Sequence, residues 1–315
     1  MIDYLPSFQG PMIKGTVMKD HAVRRRLSAF AAGLATIAMT LGFAAIPAEA
    51  APPVPNVDLV AVGDSYTAGT GAGAFASSLP CIQTKGGYVD DLRDLAIVDD
   101  NVTNGACHGA LLDQMADDVV PSVMQQIARL TAAETLSGRT ELVTLTAGAN
   151  DIGVNSILFA CAYSTPEDCQ QAVLSAEGKL PGMAADLSRA VTAIHRAAPR
   201  ARIAVLGYPL LFDPERGIPV IPLERQEMIN QGTAALNATI DAAVSAANTG
   251  SKANAQYIDV TSRFAEHAAN SIINQWIVFG QPFTPQTFHP TADGHRAYAA
   301  AVTDAVNLAS IARRN

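Results

Sequence analysis

The sequence lacks a cluster of basic residues at any point after Arg26. The chain has 21 lysine and arginine residues against 29 aspartate and glutamate residues, and residues 1–50 hold five of the basic and three of the acidic ones. Residues 51–315 therefore carry 16 basic and 26 acidic side chains, a net charge of −10. Because nucleic-acid binding depends on lysine and arginine at phosphate groups, this balance argues against a nucleic-acid partner.

The start of the chain has the features of an export signal. Three arginines at 24–26 precede an apolar run over 27–46, and Ala-Glu-Ala follows at 48–50. A positive flank, an apolar stretch and a small-residue site predict a cleavable signal peptide. A membrane anchor is the alternative, since about 20 apolar residues can span a bilayer. We therefore predict an N-terminal extension and signal peptide over 1–50, a single domain over 51–315 and an extracellular protein, with retention at the cell envelope left open.

Cys-x-x-Cys spacing, which is typical of zinc sites, is also absent from the sequence. The chain has four cysteines, at positions 81, 107, 161 and 169. An even number of cysteines behind an export signal indicates two disulfides. Three pairings are possible, and the sequential pairing closes the shortest loops. We expect no metal site and no cofactor.

Hairpin signals and internal repeats are absent as well, and short apolar strands alternate with helical patterns. The strands are predicted at 57–63, near 102–104, and at 141–147, 202–206 and 255–260. Helical patterns lie at 87–97, 122–130, 152–173 (two helices around a polar bend), 183–198, 223–247, 262–269 and 291–311. This alternation predicts a parallel sheet covered by helices on both faces. Right-handed crossovers then bring all the strand ends to one edge.

Residues suited to acyl transfer follow three of these strands. Ser65 ends a Gly-Asp-Ser turn after the first strand, Gly109 closes a glycine-bracketed turn after the second, and Asn150 follows the third. His289 lies near the C-terminus, before a predicted helix. A serine hydroxyl becomes a nucleophile when a base such as histidine takes its proton, and N–H donors must stabilise the resulting oxyanion. Four such residues at one sheet edge indicate a hydrolase.

The four motifs resemble those of one known family. The sequence reads GDSY at 63–66, NGACHGA at 104–110, GAND at 148–151 and QTFHP at 286–290. It resembles the SGNH hydrolase superfamily, the GDSL esterases and lipases, and is similar above all to its secreted actinobacterial lipase and phospholipase branch. The resemblance implies a flavodoxin-like three-layer α/β/α sandwich with five parallel strands.

The resemblance also implies the roles of individual residues. Ser65 would be the nucleophile and His289 the base, and the oxyanion hole would comprise the main-chain N–H groups of Ser65 and Gly109 with the Asn150 side chain. That branch cross-links the region between Cys81 and Cys107. We therefore predict the pairs Cys81–Cys107 and Cys161–Cys169.

Two positions depart from the family pattern. Gln286 stands where the family has an aspartate three residues before the base, so we predict a Ser65–His289 dyad oriented by the main-chain oxygen of Gln286 or of a neighbour. A carbonyl can fix the histidine tautomer by accepting the Nδ1–H bond. His108 stands where the branch usually has a small residue. We expect activity to rise through about pH 6–7 as His289 loses its proton.

Three further patterns have competing explanations. His295 is a rival base, although a buried position in a helix capped by Thr291 explains it better than a metal or catalytic site. The run GTGAGA at 69–74 is similar to a dinucleotide-binding fingerprint but begins too far past its strand, so we interpret it as a flexible rim near the site. The apolar stretch 271–288 is either an acyl pocket or core, and Leu158 and Phe159 are second candidates for the pocket.

The sequence thus predicts a secreted serine esterase or lipase that hydrolyses acyl esters, plausibly lipids, through a Ser-His dyad and an acyl-enzyme. A phospholipase, a carbohydrate acetylesterase and an acyltransferase are alternatives that would use the same residues. A nucleotide-dependent oxidoreductase and a non-catalytic secreted binding domain are alternatives from other classes. We predict a small-molecule or lipid ester as the partner and a monomeric protein.

Overall fold

Five parallel strands form the centre of the fold in the computed structural model, which describes residues 55–113 and 119–313. The extension and signal peptide predicted over 1–50 lie outside the described residues. The strands pair in the order β2-β1-β3-β4-β5. Their bounds are β1 Leu59–Gly63, β2 Thr103–Asn104, β3 Leu142–Thr146, β4 Arg202–Leu206 and β5 Ala255–Ile258. All five predicted strands are therefore present, and each is equal to or shorter than its predicted range.

The composition of the two central strands explains their position. Every residue of β1 and β3 is buried; both strands contain Val and Leu, with Ala in β1 and Thr in β3. Such continuous runs are typical of parallel strands that are covered on both faces. The register aligns Leu59 with Leu142 and Gly63 with Thr146, so the two strands end side by side. This alignment brings the turns that follow them together.

Helices cover both faces of the sheet, which makes the fold a three-layer α/β/α sandwich. On one face α1 packs against α7, and on the other α5 packs against α2 and α6, while α3 and α4 pack together beside α6. The helices are α1 Tyr88–Arg93, α2 Val123–Ala132, α3 Val154–Tyr163, α4 Pro166–Glu177, α5 Leu180–Ala197, α6 Leu223–Ser251, α7 Ala292–Ala305 and α8 Leu308–Ile311. The predicted fold class is confirmed.

Three helical predictions were wrong in their extent, and the one over 87–97 ends already at Arg93. The helix predicted over 291–311 is broken, because Val306 is extended (φ −115°, ψ 117°) and the Asn307 side chain caps the separate short helix α8. The helix predicted over 262–269 is a single 3₁₀ turn, Thr261–Phe264, which ends at an extended Ala265. Glu266 then takes a left-handed conformation (φ 71°), which an α-helix cannot contain.

The four cysteines form two disulfides, and the pairing is sequential. Cys81 is bonded to Cys107 beside the turn after β2, and Cys161 of α3 is bonded to Cys169 of α4. Within the two described ranges, no helix combines the length and the apolar composition needed to cross a membrane.

Candidate active site

The carboxyl edge of the sheet gathers the four residues that the sequence singled out. Ser65 lies two residues after β1, Gly109 in the turn after β2, and Asn150 in the turn after β3. His289 comes from the segment that precedes α7. All four line one cavity of about 140 Å³. This edge is where ligands bind in open α/β sheets.

Ser65 and His289 are in direct contact. The Ser65 Oγ lies 2.7 Å from Nε2 of His289, although 224 positions separate the two residues in sequence. The Nδ1 of His289 lies 3.1 Å from the carbonyl oxygen of Thr287. A neutral imidazole that donates its Nδ1–H to Thr287 accepts the serine proton at Nε2, which is the tautomer that a general base requires.

The surroundings of His289 favour its neutral form. Although the residue keeps some exposed surface, its ring is enclosed, and burial lowers its pKa to about 3. Repulsion from His108 acts in the same direction, while the carbonyls of Gln286 and Thr287 oppose the shift. His289 can therefore accept a proton at neutral pH.

Donors for an oxyanion converge on the same cavity. Gly109 has a left-handed backbone (φ 80°), a conformation that glycine adopts without strain. The main-chain N–H groups of Ser65 and Gly109 donate to no other group in the described part of the chain. The Asn150 amide donates one hydrogen to the carbonyl of Ala110 at 3.0 Å and has a second one to offer. The arrangement has the donors that a tetrahedral intermediate needs.

Two main-chain carbonyls lie beside His289, those of Gln286 and Thr287. The carbonyl oxygen of Gln286 accepts the main-chain N–H of His289 at 3.2 Å, and the Nδ1 bond goes to Thr287 instead. Residues 284–289 fold as a tight turn that includes a left-handed Phe288 (φ 64°), which rotates the Thr287 carbonyl toward the ring. The Gln286 side chain donates to the carbonyl of Gly73 at 2.8 Å. The contact of Nδ1 with Thr287 fits the prediction of a carbonyl of Gln286 or of a neighbour, and the Gln286 carbonyl also acts on the pKa of His289.

A buried network around Asp64 supports the turn that carries Ser65, and the sequence reasoning missed the part of Tyr208 in it. Asp64 accepts the main-chain N–H of Tyr66 at 3.0 Å and the hydroxyl of Tyr208 at 2.6 Å. Burial raises the pKa of Asp64 to about 7, and these two donors oppose the shift. The Tyr66 hydroxyl donates to the carbonyl of Phe288 at 2.7 Å, next to His289. Tyr208 follows β4, so its place after a strand was the available signal.

His108 also belongs to the cavity, although the sequence marked it only as a departure. Its ring centroid lies 5.4 Å from that of His289, and its Nδ1 lies 3.0 Å from Oγ1 of Thr70. Burial lowers its pKa. Its position directly before Gly109 could have indicated that it lies near the oxyanion donors.

The rival base His295 lies away from the nucleophile, inside α7. It is fully buried, and its Nε2–H donates to the carbonyl of Thr70 at 3.0 Å while its Nδ1 accepts the main-chain N–H of Tyr88 at 3.3 Å. Burial lowers its pKa to about 4. Both ring nitrogens of His295 thus already have hydrogen-bond partners. Among the described residues, no three His, Cys, Asp or Glu side chains are grouped to hold a metal ion.

Only part of the cavity wall comes from the residues suggested by the sequence. Of the stretch 271–288, residues 284, 285, 287 and 288 line the cavity, whereas 271–283 do not, and Ile272 and Ile273 are exposed on the surface. Leu158 of α3 does line it, whereas Phe159, the next residue, faces solvent. The apolar lining is formed mainly by Val154, Leu158, Leu211, Leu236 and Phe288.

Comparison with known proteins identifies the family. The family model described as the GDSL-like Lipase/Acylhydrolase family matches residues 61–297. A lipase from Streptomyces rimosus is 29% identical over 274 residues, covering 86% of this chain and 94% of its own. Lipase 2 from Streptomyces coelicolor is 28% identical over 310 residues, covering 92% of this chain and 100% of its own.

Solved structures share the same fold. A phospholipase A1 from Streptomyces albidoflavus aligns with a TM-score of 0.65 and 24% identity over 79% of this chain and 98% of its own. An extracellular lipase from Streptomyces rimosus gives the same TM-score and identity over 79% of this chain and 100% of its own. The family match covers most of the chain and confirms the resemblance that the four motifs indicated. The chain therefore belongs to the GDSL-like lipase/acylhydrolase family and is a carboxylic ester hydrolase.

Proposed function

We propose that Ser65 and His289 form a catalytic dyad that cleaves acyl esters of lipids through a covalent acyl-enzyme. The observation that carries the proposal is the 2.7 Å contact between the serine hydroxyl and Nε2 of His289. It lies within the range required for proton transfer between a nucleophile and its base. The match to a lipase and acylhydrolase family supports the reaction class.

The reaction proceeds in two halves. The Ser65 hydroxyl gives its proton to Nε2 of His289 as its oxygen attacks the ester carbonyl, and the N–H donors of Ser65, Gly109 and Asn150 stabilise the oxyanion. The protonated Nε2 then gives its proton to the departing alcohol oxygen, which leaves an acyl-serine. In the second half, water loses a proton to His289 as its oxygen attacks the acyl-serine carbonyl. The bond to the Ser65 oxygen then breaks, this oxygen takes the proton back from His289, and the carboxylic acid is released.

A dyad rather than a triad follows from the partner of Nδ1. The Thr287 carbonyl is neutral, so it fixes the tautomer of His289 but stabilises the imidazolium less than a carboxylate would. The remaining stabilisation of the transition state must then come from the oxyanion donors and from the enclosed site, where electrostatic interactions are strong.

The cavity is too small for a whole lipid molecule but can hold part of one. Its volume of about 140 Å³ is below the roughly 300–1,000 Å³ of pockets that enclose a whole drug-sized ligand. We propose that it accommodates the acyl group next to the scissile bond, and that the rest of the substrate stays outside. We also propose a monomer that needs no cofactor.

We also propose that the enzyme is exported from the cell. The arginines, the apolar run and the Ala-Glu-Ala site within residues 1–50 support export and cleavage, and two disulfides suit an oxidising compartment. One structural relative is described as an extracellular lipase. N-terminal sequencing of the protein recovered from the culture medium would test the cleavage site.

Substitution of either dyad residue tests the catalytic proposal. Ser65→Ala and His289→Ala should each lower kcat for p-nitrophenyl butyrate by about 10⁶-fold, because loss of one member disables the pair as a unit. Ser245→Ala, an exposed serine on α6, is the matched control and should retain full activity. Circular dichroism would verify folding. A folded Ser65→Ala variant with substantial turnover would overturn the dyad.

A further inference from the structure

The cavity has two chemically different sides. Strand order places the turn after β2, which carries His108, on one side of Ser65, and the turns after β3 and β4 on the other. The β3 and β4 side supplies the apolar wall, including Leu158 and Leu211. An ester has an apolar acyl arm and an alcohol arm, which must leave Ser65 in different directions. The apolar side suits the acyl arm, so the alcohol arm faces His108.

The His108 ring is held in a fixed position, and one of its two nitrogens is left for a ligand. Its main-chain N–H donates to the carbonyl of Ile82 at 3.1 Å, and its Nδ1 is bonded to Oγ1 of Thr70. The Phe75 ring packs edge-on against it, with centroids 5.9 Å apart. The Cys81–Cys107 disulfide fastens the preceding residue. Nε2 has no hydrogen-bond partner among the residues that the structure describes.

The ring that carries this nitrogen lies beside the base that protonates the leaving alcohol. The rings of His108 and His289 are 5.4 Å apart. We propose that His108 is a specificity-determining residue that binds a free hydroxyl on the alcohol portion of the ester, as in a monoacylglycerol. If Thr70 donates to Nδ1, Nε2–H donates to that hydroxyl, and with the other tautomer Nε2 accepts from it. A hydroxyl satisfies either form, because it is both donor and acceptor.

Two esters with the same acyl group test this proposal, which rests on the proposed function. Glycerol monobutyrate carries free hydroxyls on its alcohol portion, and propyl butyrate carries none. His108→Leu should raise KM for glycerol monobutyrate about five- to tenfold, the size of one lost neutral hydrogen bond, and change KM for propyl butyrate less than twofold. His108→Asn retains a polar group and should recover part of the affinity for glycerol monobutyrate alone.

Leu158→Ala is the matched control on the opposite wall. It removes apolar surface from the wall that faces the acyl group. It should weaken the binding of both esters equally, because their acyl groups are identical. Equal changes for both esters with His108→Leu, or no rescue by His108→Asn, would overturn the role of His108 while leaving the dyad intact. A wild-type enzyme that cleaves neither ester would instead contradict the proposed function. Thermal melts of each variant would show that it is folded.

Discussion

At the scale of single residues, the site depends on keeping one imidazole neutral. Burial is the largest cause that lowers the pKa of His289, and the neighbouring His108 adds to it. Buried His295 is shifted in the same direction. Unfolded histidine takes up a proton near pH 6.5. The folded protein excludes these protons, so these two groups destabilise it as the pH falls from about 6.5 towards 3.

The pH dependence of activity should therefore differ from the expectation based on an ordinary histidine. Because the pKa of His289 is lowered to about 3, its neutral form persists well below pH 6. We expect kcat/KM for p-nitrophenyl butyrate to stay constant from pH 8 to about 5, and to fall only below that. Assays started immediately after dilution into acid, with circular dichroism in parallel, separate titration from unfolding. An inflection at pH 6–7 in folded enzyme would refute the shift.

Sequence reasoning named Ser65 and His289, which the structure brings into contact, but left open which carbonyl near Gln286 meets Nδ1. Ser65 and His289 could be named because their residue types and the family motifs identify the chemistry, whatever the chain does between them. Which carbonyl meets Nδ1 depends on main-chain rotation at Phe288. A left-handed residue that is not glycine leaves no sequence signal. His108 was visible as a departure, but its contact with Thr70 joins positions 38 residues apart.

At the scale of elements, the loop after β1 ties the nucleophile to the base. The main-chain N–H of Thr70 donates to the carbonyl of Ser65 at 3.0 Å. Gly71 then lies directly against the segment of His289 and Pro290, with a left-handed φ of 96°. A Cβ at Gly71 would overlap the carbonyl oxygen of Pro290 and come within 3.1 Å of the His289 Cβ. The run interpreted as a flexible rim thus packs against the base.

A methyl group at Gly71 should disturb catalysis more than folding. Gly71→Ala strains the backbone and pushes against His289, and a displacement of about 1 Å at a reacting group can cost about 10²-fold in rate. We expect kcat/KM to fall by about that factor. Gly73→Ala is the control, because its nearest neighbour, the carbonyl oxygen of Lys85, lies 3.9 Å from the added Cβ. Equal activity of the two variants would refute this packing role.

The bounds of an element could be predicted from the sequence where burial alone determines them. β4 matches its predicted range, Arg202–Leu206, because a continuous apolar run leaves few choices for a strand buried on both faces. The ends of the final helix and of the 3₁₀ turn depend on local caps at Asn307 and on Glu266 instead. Long-range packing also determines where residues 271–288 lie. Its aromatic side chains Phe279 and Phe283 pack against Phe288, behind the cavity wall.

At the scale of the whole molecule, several exposed apolar side chains lie in the loops that follow the carboxyl ends of strands. Among the described residues, the large ones in such loops are Phe75, Leu79, Val119, Ile218, Ile272 and Ile273. Phe159 and Tyr163 of α3, Leu174 of α4 and Leu223 at the start of α6 are exposed as well. Residues 267–292 and α3 carry no lysine, arginine, aspartate or glutamate. An uncharged apolar rim on an acidic protein suits a neutral lipid surface.

Removal of exposed aromatic rings should therefore weaken binding to such a surface. The rings of Phe159 and Tyr163 pack at a tilted angle with centroids 5.2 Å apart, and Tyr163 also packs against Phe283. We expect Phe159→Ser with Tyr163→Ser to lower co-sedimentation with phosphatidylcholine vesicles by roughly tenfold, because the buried area of the rings is lost. Turnover of soluble p-nitrophenyl acetate should be unchanged. Vesicle binding equal to that of the wild type would show that the rim does not touch lipid.

The pairing of Asn56 with Arg313 has a consequence for the way the chain can be rearranged. The two residues exchange main-chain hydrogen bonds of 3.0 Å in both directions, next to the amino end of β1. Residues 56 and 313, near the two ends of the described part of the chain, thus lie together at the amino end of β1, whereas Ser65 follows its carboxyl end. A short linker between them would allow a circular permutant, with new termini cut elsewhere, that leaves the dyad and its donors undisturbed.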